Sequence, residues 1–265
     1  ARGKLQKNEV LALAGEVAKV MCNARDNGLA GTSYDDRILG PQAQKILSGG
    51  HILFGGDLIK NLIANITAIM ETKSAMGLIV AAPTAGSCAG LPGTLLAAAD
   101  EAKGGIELLI KGLLASALIG VFIAGQSTFA AEECGCQAEC GAGSAMAAAG
   151  LVQIAGGTVK QALAASSMAI QNINGLACDP VANRVEVPCL GKNILAGMNA
   201  LAAANMALAG FDQVVPLDEA IEAFDQVGRM LPAELRCTGK GGLSLTPASR
   251  SLQDKLETRL KTGEM

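Results

Sequence analysis

The chain has 265 residues, half of them hydrophobic but only 2% aromatic, with no Trp and a single Tyr, Tyr34. That length can bury a substantial core. A core of Ala, Gly, Leu, Ile and Val with so few rings argues against a strand-rich domain and for helices that approach closely through small side chains. The net charge of −3 and the scatter of the basic residues exclude the electrostatic footprint of a nucleic-acid binder.

The opening ARGKLQKNEV lacks the apolar segment of a signal peptide, so a cytoplasmic location is expected. In a reducing compartment the eight cysteines read as thiols, metal ligands or catalytic groups and not as a disulfide framework. Residues 5–26 carry Val10, Leu13, Val17 and Met21 at helical spacing and end near Asn27-Gly28, a helix-stop signal. The glycine-rich section 28–57, with GTSYDDRILG and SGGHILFGGD, reads as loop with a short helix. Helical character resumes over 58–80 and is broken in AAPTAGSCAGLPGT, 81–94, by Pro83, Gly86, Gly90, Pro92 and Gly93.

Ala/Gly-rich helices are expected over 94–103, 105–125, 138–156, 158–173 and 190–210. Residues 112–131 carry no charge and are long enough to span a bilayer. They include Gln126, Ser127 and Thr128 and run into Glu132 and Glu133, which favours a buried central helix and no membrane partner. Pro216-Leu217-Asp218 opens an amphipathic helix with Ile221, Phe224, Val227 and Leu231, stopped by Pro232. After the loop LRCTGKGGLSLTP, 235–247, Leu252, Leu256 and Leu260 mark a final surface helix. With no low-complexity linker and no internal repeat, residues 1–265 are expected to form one all-α domain.

The chemistry concentrates in the loops. Cys22 lies inside the first helix and reads as a small buried hydrophobe. Cys134, Cys136 and Cys140 crowd into EECGCQAEC; Cys178 and Cys189 frame CDPVANRVEVPC; Cys88 and Cys237 each sit in a glycine-rich loop. No C-x₂-C pair with partner histidines suggests a structural zinc. Cysteines on separate loops beside Gly or Pro suit an iron–sulfur cluster, with structural thiols as the alternative. Thr84, Ser87, Arg236, Thr238 and Lys240 offer hydroxyl and cationic contacts to a carboxylate, against local turn chemistry. His51, the single histidine, titrates near neutrality and is a candidate general base, against a structural or surface role. Asp57 reads as a helix cap.

Five stretches, in order, are GGD at 55–57, APTAGSCAGLPGT at 82–94, GCQAE at 135–139 followed by SAMAAAGLV, GLACDPVANRVEVPC at 175–189 and LRCTGKGGLSLTP at 235–247. As a set they resemble the α chain, or catalytic domain, of the iron–sulfur-dependent L-serine dehydratases. The resemblance implies a [4Fe–4S] cluster held by Cys136, Cys178 and Cys189, with glycine-rich loops converging on it. It also implies β-elimination of water from a small amino-acid substrate to give a 2-oxo acid and ammonia, with one iron open as a Lewis acid. A separate β subunit, a homo-oligomer or both are the expected partners.

Two departures bear on the substrate. SGGHILFGGD puts bulky Ile52, Leu53 and Phe54 before GGD, and Asn183-Arg184 stand where the family tends to have glycine. L-Threonine, L-cysteine or another β-substituted acid therefore stay open beside L-serine, as does a non-catalytic iron–sulfur subunit. Cys140, one helical turn from Cys136, is a possible competing ligand.

Overall fold

The computed structural model describes residues 4–49 and 53–262. Its fold is all-α, and among the described residues the sole β-type pairing is an isolated bridge between Cys178 and Arg236. The helices are α1 Lys7–Ala30, α2 Ala43–Ser48, α3 Gly56–Ser74, α4 Gly90–Glu101, α5 Gly105–Gln126, α6 Ala131–Cys136, α7 Ala142–Ile154, α8 Val159–Gln171, α9 Cys189–Leu208, α10 Leu217–Met230 and α11 Pro247–Thr262.

The centre is α7, whose residues from Ala142 to Val152 are all buried. A helix apolar on every side belongs inside. It packs against α4, α5, α8 and α9, while α3 lies against α1, α4 and α9. Small residues set these distances. A Cβ on Gly150 of α7 would stand 2.5 Å from Ser116 Oγ and 2.9 Å from Gly112 O, both on α5. Thr158 opens α8 with a capping box: its hydroxyl accepts from the Gln161 backbone, and Gln161 Oε1 accepts from the Thr158 backbone.

Three sequence expectations are corrected. Helix α1 runs through Asn27-Gly28 and ends at Gly31, where φ is 108°. Gly28 is a crossing point and not a stop, because a Cβ there would lie 2.0 Å from Ala68 O of α3. The buried face of α1 is Ala18, Met21, Ala24 and Gly28, leaving Leu13 56% exposed. Close contact with α3 selects the small residues over the larger stripe. Helix α3 ends at Ser74, and α4 starts at Gly90, so Pro92 lies in its first turn, where no amide hydrogen is needed.

Helix α5 is long and apolar enough to cross a membrane by length and composition, with 39% of that window buried. It packs on α7 and α1 but leaves Leu118, Val121 and Phe122 exposed, so it is a half-covered helix and not a fully buried one. Cys22 is likewise half-buried against the core.

Candidate functional site

At one end of the bundle, four loops meet around sulfur. Helix α6 is broken at Cys134 and at Gly135, whose φ of 70° and ψ of −176° suit glycine, and the chain passes through a π turn, Gln137–Gly141, into α7. The break turns Cys136 inward, to 1% exposure. Gln137, fully buried, ties this turn to the next loop. Its Oε1 accepts from Gly175 N at 2.8 Å, its Nε2 donates to Phe224 O at 2.5 Å, and its own N–H donates to Leu176 O at 3.1 Å. Cys178 follows two residues after Leu176.

The Cys178 loop is stitched to LRCTG. Cys178 N donates to Leu235 O at 2.8 Å and Cys237 N to Cys178 O at 2.9 Å. Asp179 accepts from Lys192 Nζ at 2.7 Å and from Leu243 N at 3.0 Å. A Cβ on Gly242 would come within 2.5 Å of that carboxylate, so the glycine lets the loop close on it. Farther along, Glu186 Oε2 accepts from Ile38 N and Leu39 N at 3.0 and 2.9 Å, fastening the 31–42 segment to the same loop.

Buried Asn193 of α9 joins the remaining two pieces. Its Oδ1 accepts from Ala89 N and Gly90 N at 3.2 and 3.0 Å, and its Nδ2 donates to Gly86 O and Cys189 O at 3.0 and 2.9 Å. The Thr84–Gly90 loop is thereby held to the start of α9, where Cys189 lies.

Cys136 Sγ, Cys178 Sγ and a Glu139 carboxylate oxygen lie within 4.8 Å of one another. Cys136 Sγ is also 3.6 Å from Cys140 Sγ. Cys189 is buried and close enough for Cys178 to act on its charge, but it stands outside that tight trio. Cys237 is half-buried and adjoins Cys178. The hydrogen-bonded Cys140 thiol and then burial hold Cys136 well above the usual thiol range, with Cys178 working in the opposite direction. The Cys136 hydrogen bond and then burial raise Cys178. Burial pushes Cys189 up to about 11 and Cys237 up to about 12. These groups are thiols until a metal displaces their protons.

The other sequence candidates separate. Thr84 Oγ1 donates to Glu139 Oε1 at 2.5 Å and accepts from Ser87 N at 3.1 Å, so it stands at the thiol end. Ser87 is fully buried and its hydroxyl has no partner among the described residues. Arg236 donates to Glu133 O at 3.1 Å, while its buried Nε has no partner among the described residues. Exposed Thr238 bonds to Ala233 O at 2.8 Å within its own turn, and Lys240 is exposed. His51 and Ile52 lie outside the described residues. Asp57 lies in the first turn of α3, not at its N-cap, which is Gly55; among the described residues its carboxylate pairs with Lys60 at 2.6 Å. Of the departures noted in the sequence, Phe54 is 99% exposed and Arg184 pairs with Asp36 at 3.2 Å.

Sequence reasoning gave no role to Gln137, Glu139, Glu186, Asn193 or Lys73. Lys73, in the last turn of α3, acts electrostatically on Cys88, Glu139 and Cys189. Polar side chains inside otherwise apolar runs, such as QAEC and KNILAG, were the available signal.

Comparison with known proteins bears on this arrangement. The family model described as "Serine dehydratase alpha chain" matches residues 1–244. "L-serine dehydratase, alpha chain" of Peptoniphilus asaccharolyticus is 46% identical over 209 residues, 79% of this chain and 70% of that protein. "Probable L-serine dehydratase, alpha chain" of Bacillus subtilis is 38% identical over 253 residues, covering 94% of this chain and 84% of that protein. "L-serine dehydratase 1" of Escherichia coli is 35% identical over 181 residues, 67% of this chain but 40% of that longer protein. A match of this extent, running through every loop that builds the thiol end, makes the chain a member of the serine dehydratase alpha chain family.

Proposed function

We propose that the chain is a lyase that converts L-serine to pyruvate and ammonia, using a [4Fe–4S] cluster held by Cys136, Cys178 and Cys189. The observation that carries this is a group of buried thiols drawn from separate loops in a chain of this family. The donor set fits such a cluster: sulfur is the preferred ligand for iron–sulfur centres. Lys192 acts electrostatically on Cys136 and Cys189 and Lys73 on Cys189, and both ammonium groups would offset the cluster's negative charge. When bound, the cluster supplies an iron without a protein ligand, a Lewis acid for the departing hydroxide.

The chain's own residues do the rest. Gln137 and Asn193 fix the loops that carry the cysteines, so the ligands arrive preorganised. Burial keeps bulk water from the reacting carbon, whose α-proton passes to a base as the β-hydroxyl leaves, the proton and the hydroxide together making the water lost. The resulting enamine tautomerises and hydrolyses to pyruvate and ammonia. The relatives' designation as alpha chains supports a separate β chain as partner.

Anaerobic reconstitution with iron and sulfide, followed by absorbance and EPR spectra with L-serine, L-threonine and L-cysteine in turn, tests this reading. The expected result is a cubane spectrum perturbed most by L-serine. A chain that binds no cluster with all three cysteines intact overturns it.

A further inference from the structure

The carboxylates near the thiol end are not equally satisfied. Asp179 is paired with Lys192 and accepts from Leu243 N. Glu186 accepts two backbone amides, and Glu71 accepts from Gln42 N and Ala43 N and pairs with Arg37 at 3.5 Å. Glu139 is different. Its one hydrogen bond among the described residues is from the Thr84 hydroxyl, and no ion pair reaches it. Lys73 acts on it through space only, its ammonium donating to Val185 O at 3.4 Å. A half-buried carboxylate beside thiols is costly unless a cation joins it.

The Gly86 loop runs close against that carboxylate. A Cβ on Gly86 would lie 2.6 and 2.9 Å from the two Glu139 oxygens, so glycine lets the loop pass with no side chain set on the carboxylate. The carboxylate also lies within 4.8 Å of the Cys136 and Cys178 sulfurs, where the reaction is expected to occur. L-Serine brings an α-ammonium, a compact cation with three donors, on the carbon that loses its proton.

We propose that Glu139 binds the substrate's α-ammonium, with Thr84 as the positioning residue that fixes the carboxylate, and that this contact makes the site take an amino acid over the matching hydroxy acid. The proposal rests on the function inferred above and names what that site recognises. A buried charge pair of this kind discriminates strongly against a ligand that leaves the carboxylate unpaired.

The test uses the anaerobically reconstituted chain and two probes, L-serine and glycerate, which differ by ammonium against hydroxyl. The readout is the dissociation constant of each, taken from the change in the cluster's EPR spectrum. Wild type should prefer serine by at least ~10-fold. Glu139→Gln should weaken serine by roughly 100-fold and leave glycerate unchanged or tighter. Thr84→Val should weaken serine by roughly 10-fold without moving glycerate.

If Glu139→Gln fails to hold iron, Glu139→Asp replaces it: the charge is kept but withdrawn by one methylene, and serine alone should weaken. Equal affinity of wild type for both probes, or a variant that shifts both alike or neither, overturns the proposal and leaves the function standing. A wild-type spectrum unmoved by serine overturns the function and the proposal together.

Discussion

Cys88 and Cys136 are buried to the same depth, 0% and 1% exposed, and both thiols are raised above their ordinary range. The causes differ. For Cys88, in the Thr84–Gly90 loop and packed on the core, burial comes first and lifts it to about 11, and its sulfur neighbour is the Met70 thioether at 3.9 Å. For Cys136 the Cys140 thiol comes first, with Cys178 and the Glu139 carboxylate also within reach. One is a small hydrophobe and the other faces further ligands. Depth therefore does not separate packing from chemistry in this molecule; what stands beside the buried group does.

The comparison breaks most sharply by removing a sulfur from the ligand side. Cys136→Ser and Cys178→Ser should each lose the iron on anaerobic reconstitution and lower lyase activity by more than ~100-fold, beyond what loss of a supporting contact costs. Iron content and the visible charge-transfer band measure the first effect, and pyruvate formation the second. A Cys136→Ser chain with full iron and activity would remove Cys136 from the ligand set.

Glycine shows the same division. At Gly28 an added Cβ meets backbone, Ala68 O at 2.0 Å, while at Gly86 it meets the end of the Glu139 side chain. Backbone cannot give way without moving α3. Gly28→Ala should cost about 3 kcal/mol, the upper part of the overpacking range, even after the gain in helix propensity. A thermal melt should show this as a drop of roughly 10 °C. Gly86→Ala should leave the melting temperature within about 2 °C and weaken serine binding instead.

These two glycines also mark how far the sequence could be read. The all-α class was legible because Ala and Gly runs with few rings leave little else to build a core from. Helix α10 was legible in detail: Ile221 and Phe224, one turn apart, are both fully buried. Helix α1 was not, because its exposed Val10 and Leu13 mimic a core stripe while Ala18, Ala24 and Gly28 do the packing. The cysteines stood out through their motifs. Gln137 and Asn193 did not, because their role depends on partners 87 and 107 positions away. Glu139 was hidden differently, inside a recognised motif, and its unpaired state exists only in three dimensions.

Glu186 and Cys88 sharpen the contrast at smaller scale. Glu186 is buried yet serves neither apolar packing nor the thiols; it fastens the 31–42 segment to the Cys178 loop. Glu186→Ala strands two backbone amides and should cost about 2 kcal/mol in denaturant unfolding. Cys88→Ala should cost about 1 kcal/mol, the price of a small void, and leave iron content unchanged. Loss of iron in Cys88→Ala would mean that the two thiol environments are not separate.

The gentlest probe of that fastening is Tyr34, the chain's single tyrosine, whose phenolate absorbance can be followed without interference from other tyrosines. Burial, then the hydrogen bond to Glu186 and its charge, push Tyr34 up to about 12. A folded pKa above the unfolded value of about 10 means that the neutral phenol favours the native state. That contribution is complete below pH ~10 and is lost as pH rises through the folded value. The native chain should therefore titrate near 12 and the denatured chain near 10. Glu186→Gln removes the charge but keeps the shape, so its midpoint should fall between the two, burial holding the remainder. A variant midpoint unchanged from wild type would show that burial alone raises Tyr34 and that Glu186 acts only through the Ile38 and Leu39 amides.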